Sequence, residues 1–202
     1  MSILTVCYEF FETMAVLEIL KYPEPVLTKV ASPVKNYTGK TASLVVDMLE
    51  TMYAAPGVGL AAPQIGVSQR IIVLDVDHEN PGKQIYKLVN PVITRSEGEV
   101  VWEEGCLSVV DYTAEVRRAA KVEIVAFDEK EKEVKIEAEG LLAVALQHEI
   151  DHLDGVLAVD RAYGNDPFCL REEWNRLYTG SDRYGEPEPR SEQVPTPFSA
   201  LL

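Results

Sequence analysis

Residues 141–153 carry Leu141, Leu142, Val144, Ala145, Leu146, Ile150 and Leu153 with no proline among them, between Gly140 and Gly155. These apolar residues recur at helical spacing but on more than one side of the helix. Such a helix is stable only when it is surrounded, so the domain has to be built around it. The same segment holds His148, Glu149 and His152, including two of the chain's three histidines. A separation of four puts both imidazoles on one helix face, where they can share a divalent metal, with Glu149 within reach of a bound water. Taken alone, H-E-x-x-H also describes two hydrogen-bonded core histidines and a solvated glutamate. The rest of the chain has to decide.

A chain of 202 residues, 47% hydrophobic and 26% charged, suits one soluble domain with a substantial core. Nineteen basic against thirty-three acidic residues leave a net charge of −14, which argues against direct nucleic-acid binding and against an anionic membrane surface. Cys7, Cys106 and Cys169 are odd in number and far apart, which speaks against a disulfide framework and for a reducing, cytoplasmic location. No apolar run reaches the roughly 18 residues of a membrane helix, and the start lacks a signal peptide's basic opening and cleavage site.

Residues 1–13 mix apolar and aromatic side chains without a period and precede Met14, which reads as the natural initiator and makes those residues an N-terminal extension. Val16, Leu17, Ile19 and Leu20 then lead into Pro23, Pro25 and a turn-rich wrap. Leu44, Val45, Met48, Leu49, Met52 and Tyr53 predict a helix capped by Thr41 or Ser43 and closed before Pro56-Gly57. Residues 70–76 are strand-like, and 86–89, 92–94 and 100–102 read as short antiparallel strands broken at Asn90-Pro91 and Glu97-Gly98. Val122, Ile124, Val125 and Phe127, with Val134 and Ile136 beyond a charged turn, predict a hairpin that feeds the buried helix. Val156 to Val159 reads as one more short strand and 168–178 as a brief helix. The proline-rich, acidic residues 179–202 are expected to be a disordered tail. The expected fold is α+β, with antiparallel β-sheets packed around a central buried helix carrying the H-E-x-x-H motif, in one catalytic domain over 14–178.

Gly57, Gly59 and Ala62 satisfy G-x-G-x-x-[G/A], with Asp75 or Asp77 at the distance of a ribose-binding acid. A helix precedes them and Pro63 and a strand follow, the reverse of what a dinucleotide fingerprint needs. Small residues there instead let backbone approach a ligand, with Gln64 supplying a polar contact, or pack a tight turn under a neighbour. His78 lies in a turn signal, Asp77-His78-Glu79-Asn80-Pro81, and reads as a solvated loop residue.

A catalytic metal site of this kind wants three protein ligands and one open position. The continuation H-E-x-x-H-x-x-G-x-x-H matches through Gly155 and fails at Ala158. Glu172 and Glu173 stand where a carboxylate third ligand would come from. Cys106 is the other candidate, and a thiolate with two imidazoles suits Fe(II), Zn(II), Co(II) or Ni(II). A lone cysteine beside glycine otherwise reads as a small buried hydrophobe.

Gly57-Val58-Gly59-Leu60-Ala61-Ala62-Pro63-Gln64, Glu104-Gly105-Cys106-Leu107-Ser108 and Gln147-His148-Glu149-Ile150-Asp151-His152, in this order, resemble the three signature motifs of the peptide deformylase family. The similarity runs from about Met14 to about Arg161. It implies a metal-dependent hydrolase that removes the formyl group from the N-terminal formylmethionine of newly synthesised proteins and releases formate. It further implies Cys106, His148 and His152 as ligands of one divalent ion, Fe(II) in the cell, with Zn(II), Ni(II) or Co(II) as substitutes. Glu149 would take and return the proton, and the Gln64 side chain and Leu107 N–H would steady the oxyanion. The peptide would lie extended beside Val58, Gly59 and Leu60 as an added strand, Gly59 permitting its approach. Its methionine would enter a pocket of Val58, Leu141, Val144 and Ala145.

The resemblance has departures. Val110 stands where the family commonly has proline, Arg117 interrupts a common Val-Pro-Arg, and Thr113 replaces an arginine of many bacterial members, all at the rim of the substrate groove. Members with a basic C-terminal helix are thought to dock on the ribosome through it, and this acidic tail does not suit contact by that route. Two other readings are weighed against the resemblance: an H-E-x-x-H metallopeptidase with Glu172 or Glu173 as third ligand, and a non-enzymatic binding protein that keeps the metal without turnover.

Overall fold

A computed structural model describes residues 15–77 and 79–162. The extension over 1–13, Met14, His78, the helix expected over 168–178 with Glu172 and Glu173, and the tail over 179–202 lie outside the described residues. Residues 15–22 run without regular structure to a 3₁₀ turn at Pro25–Thr28. Helix α1 (Gly39–Ala54) starts from Thr38 rather than from Thr41 or Ser43. Thr41 lies one turn inside, where its hydroxyl accepts the Thr38 N–H at 3.4 Å, so the helix gains its first residues by reaching back to its own cap.

Seven strands follow: β1 (Gly59–Ala61), β2 (Ile71–Leu74), β3 (Tyr86–Glu97), β4 (Val100–Cys106), β5 (Val109–Arg118), β6 (Lys121–Phe127) and β7 (Glu133–Glu139). Helix α2 (Gly140–Leu153) closes the series and carries His148, Glu149 and His152. The fold is mixed α and β with antiparallel sheets: β1-β2-β3-β6-β7 form one five-stranded sheet, and β4 and β5 form a separate pair. The hairpin expected to feed the helix is β6–β7, and β7 runs straight into α2.

Strand β2 shows how sequence becomes layering. Ile71, Ile72, Val73 and Leu74 are all fully buried. Successive side chains of a strand point to opposite faces. Ile72 and Leu74 therefore join Ala143, Leu146, Ile150 and Leu153 of α2, while Ile71 and Val73 join Val45, Met48 and Met52 of α1. A strand covered by a helix on both faces reads as an unbroken apolar run, and each large aliphatic side chain so buried contributes about 1.5–3 kcal/mol. From Ala143 to Leu153 every residue of α2 except His148 is buried.

The expected break at Glu97-Gly98 separates β3 from β4, but the one at Asn90-Pro91 is absent and one expected strand is a turn. Residues 86–89 and 92–94 belong to one strand, β3, because Asn90 takes a left-handed conformation (φ 52°) and the pairing with β6 shifts register between Val89 and Val92. The Asn90 side chain accepts the Val34 N–H at 2.8 Å and donates to the Val34 carbonyl at 2.9 Å, so a bulge carries Pro91 without ending the strand. The strand expected over Val156 to Val159 is instead a 3₁₀ turn, Ala158–Arg161. There the Asp160 carboxylate accepts the Leu157 N–H at 2.8 Å, a local bond that competes with extended backbone.

Candidate metal centre and substrate groove

Strand β4 ends at Cys106, and a two-residue turn, Leu107-Ser108, returns the chain into β5. That turn sets Cys106 against one face of α2. One ligand atom each from Cys106, His148 and His152 lies within 4.8 Å of the others, with Cys106 Sγ 3.3 Å from His152 Nε2. The two imidazole rings meet edge to face at 4.9 Å. His148 turns Nδ1 to Glu104 Oε2 at 2.8 Å, which leaves its other ring nitrogen, Nε2, for the cluster.

The cluster is charged even before a metal is considered. Burial pushes the Cys106 thiol up, but the His152 charge and the hydrogen bonds of both imidazoles outweigh it and hold the thiol well below its ordinary range. Burial pulls His148 down, yet its bonds to Cys106 and Glu104 carry it well above the ordinary imidazole value. The thiolate is the form of cysteine that ligates metal. Glu149 is 4% exposed, and its Oε2 has no hydrogen-bond partner among the described residues. Burial raises the Glu149 carboxyl above its ordinary value, and the nearby imidazole charges only partly oppose that. An uncommitted carboxyl oxygen beside a thiolate and two imidazoles fits a divalent metal with a water or substrate atom between them.

A second layer of residues orients these groups. Arg118 donates to both Glu104 oxygens at 2.7 and 2.9 Å and also bonds Asp151. Arg161 holds Asp151 from the other side at 2.7 and 3.0 Å. Burial alone would raise the Glu104 carboxyl, but hydrogen bonds from Arg118 and His148 bring it down to about 2. Sequence reasoning assigned no role to Glu104, Arg118 or Asp151, although spacing marks the first and last: Glu104 is two residues before Cys106 on the same strand, and Asp151 is three after His148 on the helix. Arg118 carried no such signal.

The cluster opens into a groove of about 460 Å³. Val58, Gly59, Gln64, Cys106, Leu107, Leu141, Val144, Ala145, His148 and Glu149 line it together, so it gathers most of the residues singled out from the sequence. Gln64 is 2% exposed and accepts the Ala61 N–H through Oε1 at 2.8 Å, which aims its amide nitrogen at Ser108 Oγ, 3.2 Å away, and at Cys106 Sγ, 3.9 Å away.

Packing around β1 adds two details. Leu60 is fully buried in the α1 cluster and its side chain does not line the groove, because alternation along β1 turns it to the opposite face. Gly59 has a further reason to be glycine besides the approach of a ligand: a Cβ there would stand 2.4 Å from Glu149 Oε1 and 2.8 Å from its Cδ. The missing side chain of Gly59 is the seat of the Glu149 carboxyl.

A thiolate, two imidazoles and a buried glutamate at the edge of an extended groove define a metal-dependent hydrolase site. Residues 16–167 match the family described as polypeptide deformylase. The chain is 50% identical over 148 residues to the peptide deformylase of Thermodesulfovibrio yellowstonii, covering 73% of this chain and 90% of that protein. With the Halothermothrix orenii peptide deformylase it shares 53% over 148 residues, 73% of this chain and 94% of the other. The crystal structure of a Legionella pneumophila peptide deformylase superposes with a TM-score of 0.74 at 43% identity, covering 84% of this chain and 99% of that one. The chain belongs to the polypeptide deformylase family, metal-dependent hydrolases that remove the formyl group from the N-terminal formylmethionine of new proteins.

Proposed function

We propose that Cys106, His148 and His152 hold one divalent ion, Fe(II) in the cell, and that Glu149 is the proton carrier of the deformylation. The observation that carries this reading is the convergence of those three ligand atoms within 4.8 Å of one another beside the uncommitted Glu149 oxygen. When bound, the metal supplies Lewis acidity, which polarises a carbonyl and lowers the pKa of water toward 7. The protein's own groups do the rest. Glu149, seated against Gly59, takes the proton of the attacking water and returns it to the amine nitrogen that leaves as formate forms. The Gln64 amide nitrogen and the Leu107 N–H donate to the oxygen on which negative charge develops.

The substrate is an N-formylmethionyl peptide of a nascent chain. Strand β1 lies at the edge of its sheet, and the Val58 carbonyl takes the Asp75 N–H at 3.0 Å on the β2 side. By alternation the Gly59 peptide groups face the open edge, where an extended peptide can pair. Val58, Leu141, Val144 and Ala145 offer apolar surface to the methionine side chain. In this reading α2 is the central helix of a catalytic domain that runs over 14–178, and the enzyme works in the cytoplasm. Among the described residues no helix is long and apolar enough to cross a membrane.

The test is formate release from a formyl-Met peptide, assayed anaerobically with metal content measured on the same sample. Turnover in proportion to bound iron is expected. Release that is independent of metal content, or cleavage of an internal peptide bond in its place, would overturn the assignment.

A further inference from the structure

Both donors assigned to the oxyanion are tied to one stretch of chain that has no regular structure. Residues 15–22 run from a flank of α1 to the metal centre: the N–H of Ala15 donates to Asp47 Oδ1 and that of Leu17 to Thr51 Oγ1, each at 2.9 Å. The N–H of Leu20 then donates to the Gln64 carbonyl at 2.7 Å and that of Tyr22 to the Ser108 carbonyl at 2.8 Å. Between them, the Lys21 ammonium donates to the Leu107 carbonyl at 2.6 Å. Leu20, Lys21 and Tyr22 thus bond Gln64, Leu107 and Ser108, and the side chains of Gln64 and Ser108 bond each other at 3.2 Å. Lys21 is itself anchored, since its carbonyl accepts the Glu24 N–H at 3.0 Å.

Leu107 has two soft backbone dihedrals, and they decide where its N–H points relative to Cys106 and Ser108. The Cys106 end is set by strand β4 and by the thiolate in the cluster. At the other end Ser108 is fully buried and held by Gln64 and Tyr22, whereas Leu107 is only half-buried, so a charge-assisted bond to its carbonyl decides more. Lys21 is exposed and does not line the groove, so it touches neither the peptide nor the reacting atoms. We propose that Lys21 is a positioning residue for deformylation: by holding the Leu107 carbonyl it aims the Leu107 N–H at the developing oxyanion. The inference rests on the reading of Leu107 and Gln64 as oxyanion donors. Losing such a donor outright costs about 10²–10³-fold in kcat, and a misplaced one keeps part of its effect, so a loss of about 5–30-fold is expected.

The test follows release of the free amine from formyl-Met-Ala-Ser and from its thioformyl analogue by the iron-loaded full chain. Lys21→Met keeps the aliphatic stem and removes the donor. On the formyl peptide we expect its kcat to fall by about 5–30-fold with KM within about twofold, and with metal content and the urea midpoint unchanged. Lys21→Arg, which can still donate, should recover most of the loss. Sulfur accepts hydrogen bonds weakly, so the loss on the thioformyl peptide should be smaller by at least about threefold, for Lys21→Met and for Gln64→Leu alike. An unchanged kcat in Lys21→Met, a loss that Lys21→Arg shares in full, or a loss carried by KM, by metal content or by a lowered urea midpoint would overturn the inference. So would an equal loss on both peptides in Lys21→Met while Gln64→Leu still spares the thioformyl one. If neither variant spares it, the oxyanion reading itself falls, and no amine release from the formyl peptide by the unmodified chain brings down the deformylation beneath it.

Discussion

The two sides of the metal centre are held by opposite means. Helix α2 brings His148, Glu149 and His152 and is fixed by apolar packing, with Ala143, Leu146, Ile150 and Leu153 buried against the five-stranded sheet. Cys106 comes from β4–β5, and two strands alone are marginal in water. That hairpin buries Val109, Ala114 and Val116, but the other buried side chains among its described residues are Glu104, Ser108 and Arg118. Arg118 reaches from the hairpin to Asp151 on α2, so the joint between the two sides is ionic. Apolar packing is indifferent to protons, whereas a buried ionic joint gives fixed orientation only while its charges persist.

The strongest way to break this comparison is to remove the hairpin's one ligand. Cys106→Ala is expected to abolish both metal retention and turnover, while Glu172→Ala and Glu173→Ala leave metal content as it was. Metal analysis beside formate release checks it, and a Cys106→Ala protein that still holds iron and turns over would take the hairpin out of the centre. On the helix side, Glu149→Ala should keep the metal and lose about 10²–10⁴-fold in turnover. Gly59→Ala sharpens the point, because it pushes on the same carboxyl without touching a ligand: kcat should fall at least about tenfold with metal retained. If KM rises alone, the glycine serves the peptide's approach rather than the seat of Glu149.

The two sides also differed in how legible they were. The run of apolar residues over 141–153 and the i, i+4 histidines announced a buried, chemically active helix, because both signals are local and periodic. The alternating residues of β6 and β7 announced their hairpin for the same reason. The joint did not show. Arg118 lies fourteen residues from Glu104 and thirty-three from Asp151, and nothing local in Val116-Arg117-Arg118 says which arginine turns inward. Cys106 was one of two kinds of third ligand until motif resemblance and then geometry brought it to the helix. Asn90-Pro91 was misread as a strand end because the rescue of its bulge comes from Val34, more than fifty residues away.

A matched pair of substitutions sets the two means of support side by side. Leu146 is fully buried in the α2 cluster, and Leu146→Ala should cost about 2–5 kcal/mol of folding stability. Arg118→Met should cost about 3–5 kcal/mol at neutral pH, since it leaves Glu104 and Asp151 buried without their shared cation. Urea unfolding of both variants at pH 7 gives the comparison. A near-neutral Arg118→Met would mean that the hairpin is held by its apolar residues after all.

The smallest effect is also the one that separates the mechanisms rather than the magnitudes. The Glu104 carboxyl is depressed from 4.5 to about 2 in the fold, its hydrogen bonds from Arg118 and His148 overcoming the cost of burial. A depressed carboxyl contributes stability that is fully present above its unfolded value and is lost as pH falls through the folded one, so the window lies between about pH 4.5 and pH 2. The amount at stake is on the order of a few kcal/mol. Leu146→Ala, which touches no charge, should lower the whole stability profile and keep its acid limb. Arg118→Met removes the main cause of the depression, so its profile should start lower at pH 7 and approach that of the unmodified protein as the pH falls. Unfolding free energies measured from pH 7 to pH 2.5 distinguish the two, and parallel profiles for the variants would mean that the joint between hairpin and helix is not ionic in its energetics, whatever its geometry.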